Sequence, residues 1–132
     1  LVSAFFIFGS SRMSPFKGQT GLKRIFNAAG YSFDGLRAAF VGEAAFRQLV
    51  LLNVVLLPLS FMLQVSRVER ALLIAVCLLA LIVELLNSAI EAAIDRISLE
   101  RHPLSKNAKD MGSAAQFVAL SMIALVWAVI LL

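Results

Sequence analysis

The run ALLIAVCLLALIVELLNSAIEAAI, residues 71–94, is long and apolar enough to cross a bilayer, yet Glu84 and Glu91 lie inside it and Asp95 just beyond. Backbone in hydrocarbon must satisfy its own hydrogen bonds, which makes a lone span a helix. On a helix, at about 100° per residue, Glu84, Asn87, Ser88, Glu91 and Asp95 fall within an arc of about 100°. All five share one face. A carboxylate at the bilayer centre costs at least about 2.5 kcal/mol on insertion scales, so such groups usually serve ions, protons or chemistry. Two readings stand at this point. The face is a reaction or ion site, or its carboxylates pair with Arg96, Arg47 or Lys109 and only tie helices together.

The rest of the chain agrees with a membrane setting. It is 61% hydrophobic and 15% charged, with a mean hydropathy of +0.91, far from the balance of a soluble domain. The expected fold is an all-α membrane protein: an amphipathic surface helix over about 20–42, then three transmembrane helices over about 44–64, 69–94 and 111–132, with a polar loop at 95–110. In the surface helix Leu22, Ile25, Phe26, Ala29, Phe33, Leu36 and Phe40 recur at steps of three and four. Lys23, Arg24, Asn27, Asp34 and Arg37 supply the polar side, which suits a helix lying among headgroups. Gly30 and Gly35 weaken it and mark a place to bend. Pro58 is expected to kink the first span and Trp127 to anchor the last at an interface. Residues 1–19 read as an N-terminal extension, disordered or left over from preparation, with Met13 opening a more ordinary start; residues 20–132 read as a single domain. Three short spans bury little surface against one another, so a homo-oligomer is expected.

Charge placement sets orientation. Lys17, Lys23, Arg24, Arg37 and Arg47 precede the first span, and Arg96, Arg101, Lys106 and Lys109 sit in or beside the second loop, against Arg67 and Arg70 in the first connector. The positive-inside rule then puts the N-terminus and the 95–110 loop in the cytoplasm and the C-terminus outside. The net charge of +4 fits topology and anionic headgroups. Basic and aromatic residues are not interleaved as in an RNA-binding surface, and no nucleic-acid partner is expected. The single Cys77 has no partner for an intrachain disulfide.

Several chemistries are excluded by what is missing. GYSFDGL, residues 30–36, has two glycines but Leu36 where a phosphate-binding loop needs Lys. The lone His102 has no second His or Cys for a zinc site, and Ser88 and Ser113 lack a His base in their own segments. What the polar face does offer is carboxylates at a water boundary, with Asn87, Lys109 and Asp110 nearby and Glu43 where the first span begins. Such a set invites a hard divalent cation, and Mg²⁺ binds through one or two carboxylates plus substrate phosphates.

The segments AAGYSFDGLRAAF, EAAFRQ, VELLNSAIEAAIDRIS and LSKNAKDMGSAAQ closely resemble the prokaryotic diacylglycerol kinase family, from about Gly21 to Leu132. The resemblance implies a homotrimeric bundle in the bacterial inner membrane. It implies transfer of the γ-phosphoryl group of MgATP to the primary hydroxyl of diacylglycerol. By the same resemblance Glu84 is the catalytic base, Glu43 and Glu91 hold Mg²⁺ on the phosphates, and Lys109 and Asp110 contact the nucleotide. Arg24, Tyr31, Glu100 and His102 match further ATP-contacting positions. The stretch Ala28, Ala29, Gly30, Tyr31, Ser32 and Phe33, together with Arg47, Glu84 and Ser113, faces the lipid, while Asn87 and Asp95 support the polar face. A Gram-positive branch of the family phosphorylates undecaprenol instead, but EAAFRQ and AKDMGSAA sit closer to the diacylglycerol branch. A small proton- or cation-coupled transporter would also use Glu84 and Glu91, though it leaves Lys109 and Asp110 without a task. In a structural or regulatory subunit the carboxylates would serve only in ion pairs.

Overall fold

The computed structural model describes residues 20–132, so the extension read at 1–19 lies outside the described residues. Four helices follow in order: α1 (Gly21–Gly42), α2 (Ala44–Met62), α3 (Arg67–Ile97) and α4 (Pro103–Leu131). The three later helices are each long and apolar enough to cross a membrane, as the sequence predicts, and the chain is an all-α integral membrane protein. Two units are distinguished, the first ending at Arg37 and the second running from Ala38 to Leu132.

In the first unit α1 stays helical through Gly30 and Gly35, and Ser32 Oγ donates to the Ala28 carbonyl at 2.9 Å. Leu22, Ile25, Phe26, Phe33 and Leu36 are exposed. A helix with that much uncovered apolar surface and a polar opposite side is built for a lipid interface.

The second unit is organised around α3. Its buried residues Leu73, Val76, Cys77, Ala80 and Glu84 recur at steps of three and four, the spacing that keeps a single face toward neighbouring helices. Ala119, Ile123 and Trp127 of α4 and Leu49 of α2 close over that row. Small residues, Ala80 and Ala119, allow the close approach on which helix association in lipid depends. Trp127, the expected interface anchor, makes a contact the sequence does not foretell. It is buried in the seam, and its Nε1 donates to the Leu73 carbonyl at 3.3 Å. A buried indole N–H seeks an acceptor, and this carbonyl is the one it finds.

The connections are short and capped. Pro58 lies inside α2, whose end is tied down from the next helix: Arg70 donates from Nε to the Ser60 carbonyl and from Nη2 to the Leu63 carbonyl, both at 2.9 Å. Ser66 and Glu69 form a capping box that starts α3, the Glu69 N–H donating to Ser66 Oγ at 3.1 Å and the Ser66 N–H to Glu69 Oε1 at 3.0 Å. The polar stretch 95–110 is not the loop expected from its composition. Its non-helical part is confined to 98–102, because His102 caps α4 by accepting the Leu104 N–H on Nδ1 at 3.1 Å and Pro103 takes the first turn. At about 1.5 Å per residue α3 and α4 are about 46 and 43 Å long, well beyond a hydrocarbon core of about 30 Å. Both are therefore longer than an upright crossing of that core requires.

Candidate active site

The buried face of α3 changes chemistry partway along. From Leu73 to Ala80 it is apolar, and at the next step it becomes Glu84, which is 4% exposed. Asn87, Ser88 and Glu91 continue the row half-buried, and Asp95 ends it in the open. The five-residue face read from the sequence is thus a graded path from the seam to water. Glu84 lies within electrostatic reach of Glu91 and of Glu43. Glu43 is the N-cap of α2, but its carboxylate makes no capping hydrogen bond.

At the open end the α3 and α4 extensions are pinned together. Lys109 Nζ bonds Asp95 Oδ1 at 2.7 Å across the two helices, and Lys106 Nζ bonds Asp110 Oδ2 at 2.5 Å along α4. A cavity of about 670 Å³ lies at this tip, lined by Asp95, Glu100, His102, Lys106, Lys109 and Asp110 among others. Four positions assigned to the nucleotide by resemblance, Glu100, His102, Lys109 and Asp110, therefore share one recess with Asp95. Of the pairings considered from the sequence, Lys109 with Asp95 is the one observed. Among the described residues Glu43, Glu84 and Glu91 are in no ion pair. Glu84 thus has two acidic neighbours, Glu43 and Glu91, and Lys109 is the cation within electrostatic reach of Glu91.

The fit to Mg²⁺ is partial in a way that suits a nucleotide. Among the described residues no three His, Cys, Asp or Glu side chains gather closely enough to cage a metal. Mg²⁺ is not normally caged by protein; it keeps waters and takes phosphate oxygens beside one or two carboxylates.

Other expected positions fall elsewhere. Arg24, Ala28, Ala29, Gly30, Tyr31, Ser32 and Phe33 are all on α1 in the first unit. Arg47 is occupied at the end of α1, its Nη1 donating to the carbonyls of Phe40 and Val41 at 2.8 and 3.0 Å. Ser113 is exposed on α4 beside Gly112. Gly112 itself touches the site: a Cβ there would collide with Asn87 Oδ1, so this glycine lets α4 close on the polar face. Asn53, buried in α2 with an unpartnered Oδ1, and Gln116, with a buried unpartnered Oε1, were not singled out from the sequence. A lone carboxamide inside each apolar run was the available signal.

The family model described as prokaryotic diacylglycerol kinase matches residues 30–131. A diacylglycerol kinase of Pseudomonas aeruginosa is 81% identical over 119 residues, covering 90% of this chain and 97% of its own length. Diacylglycerol kinases of Escherichia coli K12 and Haemophilus influenzae are 49% and 47% identical over 112 residues, 85% of this chain and 92% and 95% of theirs.

Proposed function

The chain belongs to the prokaryotic diacylglycerol kinase family, and on that premise we propose that it transfers the γ-phosphoryl group of ATP to the primary hydroxyl of diacylglycerol. The observation that carries the reading is the row running from buried Glu84 through Glu91 to the recess holding Lys109 and Asp110. A lipid alcohol reaches Glu84 from the bilayer while ATP enters the recess from the cytoplasm, so the two substrates meet along one helix face. Glu84 accepts the hydroxyl proton as the lipid oxygen bonds to the γ-phosphorus; the bond from that phosphorus to the bridging oxygen breaks and ADP leaves. Phosphatidic acid is released and Glu84 returns its proton to solvent. Glu43 and Glu91 would hold Mg²⁺, which when bound neutralises phosphate charge. Lys109, once it exchanges Asp95 for a phosphate, adds a second positive charge. Phosphoryl transfer asks mainly for positioning and charge neutralisation, and these side chains offer both without a phosphate-cradling loop.

The setting follows from the same reading. The N-terminus and the α3–α4 tip face the cytoplasm of the bacterial inner membrane, where the Lys and Arg residues cluster. Exposed apolar side chains along α2 and α4, such as Leu51, Val54, Phe117 and Leu125, face lipid or further copies in a homotrimer. Arg24 and Tyr31 of α1 are carried over as ATP-contacting positions by family resemblance alone. Purified protein with MgATP and diacylglycerol in mixed micelles should release ADP and form phosphatidic acid, with undecaprenol a poorer acceptor. Faster turnover of undecaprenol would reassign the lipid, and no ADP with either alcohol would end the kinase reading.

A further inference from the structure

At the height of Glu84 the facing helix carries a carboxamide that the reaction so far leaves unused. Gln116 is half-buried, and its Oε1 is sealed from solvent with no hydrogen-bond partner among the described residues. Its level along the seam follows from two fixed points of the α3–α4 crossing: Gly112 against Asn87, and Trp127 Nε1 on the Leu73 carbonyl. Both helices rise about 1.5 Å per residue. Gln116, one turn past Gly112, therefore comes level with Val83 and Glu84, one turn before Asn87. It also falls in the buried row Gly112, Ala119, Ile123 and Trp127 at steps of three and four. That row faces the row on α3 which ends in Glu84.

A buried carboxamide oxygen without a donor keeps the full cost of its lost hydration. The terminal torsion of Gln is broad and roughly two-fold, so a half-turn exchanges Oε1 for Nε2 at small torsional cost. The exchange replaces an orphan acceptor, level with a carboxylate on the facing helix, with a donor. We propose that Gln116 is a positioning residue for phosphoryl transfer: its Nε2 donates to one carboxylate oxygen of Glu84 and turns the other toward the lipid hydroxyl. The proposal rests on Glu84 being the base. Gln116 carries no charge and takes part in no bond change. It restrains a side chain with three rotatable bonds to the orientation that an in-line attack needs, and misplacement on the scale of 1 Å costs about 100-fold in rate.

The test uses the full chain, MgATP and diacylglycerol in mixed micelles. Gln116→Met keeps the length and removes both polar atoms. It should lower kcat about ten-fold or more, as loss of a hydrogen bond to a charged group does, with the KM for MgATP unchanged. In a Glu84→Gln background the same substitution should bring no further loss, because Gln116 acts through Glu84. Wild-type kcat in Gln116→Met overturns the proposal, as does a loss of equal size in the Glu84→Gln background, which would mark a packing role. If Gln116→Met does not yield folded protein, Gln116→Asn, with its amide one methylene back, is read by the same three criteria. Full turnover in Glu84→Gln sinks the base assignment itself, whereas inactive Glu84→Gln beside fully active Gln116→Met sinks this proposal alone.

Discussion

Glu84 and Glu91 are two turns apart on one helix, yet their surroundings differ, and the tasks proposed for them differ accordingly. Glu84 is enclosed by the seam while Glu91 is half-buried toward the α3–α4 tip. Glu84→Gln should therefore cut kcat by about two orders of magnitude or more, the range of a lost general base, and leave nucleotide binding intact. Glu91→Gln should instead raise the KM for MgATP and the Mg²⁺ requirement. Steady-state kinetics beside equilibrium nucleotide binding separates them, and equal loss of binding in both would show the roles misassigned. Gly112→Ala is the third informative change. Its methyl group must displace the Asn87 carboxamide, so activity should fall while stability drops by about 1–3 kcal/mol, as for other small-to-large changes at tight contacts. Removing the obstacle in Asn87→Ala/Gly112→Ala should return much of the lost stability in a thermal unfolding assay. At this scale the acidic face was legible, because 3.6-residue periodicity places its members without any tertiary knowledge. Gln116 and Asn53 were not, since periodicity says nothing about a lone polar residue until a facing helix and its register are known.

Helix count and the apolar spans could be read from the chain because runs of that length have few alternatives in lipid. What failed were ends and connectors. Residues 103–110 have the composition of a loop, and only the His102 cap with Pro103 reveals that α4 begins there. Arg70 counts as a topology charge in the sequence, and it also closes the end of α2 by bonding the Ser60 carbonyl, which the helix cannot satisfy itself, and the Leu63 carbonyl, which it shares with the Val65 N–H. Arg70→Ala should leave the Ser60 carbonyl short of a donor and destabilise the α2–α3 hairpin by about 1–3 kcal/mol. Loss of unfolding cooperativity near 60–70 in hydrogen exchange, with KM values unmoved, is the expected signature. Trp127 adds a contact that the sequence hides: an aromatic near a span end suits an interface, and an acceptor on α3 takes its N–H.

For the molecule as a whole, the consequence lies in two helices longer than the membrane they cross. Their shared tip should be reachable from the cytoplasm alone. Ser98→Cys should react with a membrane-impermeant thiol reagent only in inside-out vesicles, while the native Cys77, 0% exposed in the seam, should stay unmodified on either side. Labelling of Ser98→Cys in right-side-out vesicles would invert the proposed topology. The orientation was argued from Lys and Arg placement, and the recess at the tip gives it a purpose, since ATP is found on that side.

A seam that is oily over one half and ionic over the other has a single seat. Sliding α3 by one turn along α4 would drag Glu84 toward Ala119 and Ile123 and pull the Trp127 indole off its carbonyl. The protein should then work as a stationary anvil. Its substrates travel and fit themselves to it, and catalytic cycles pass without any piston stroke of the helices.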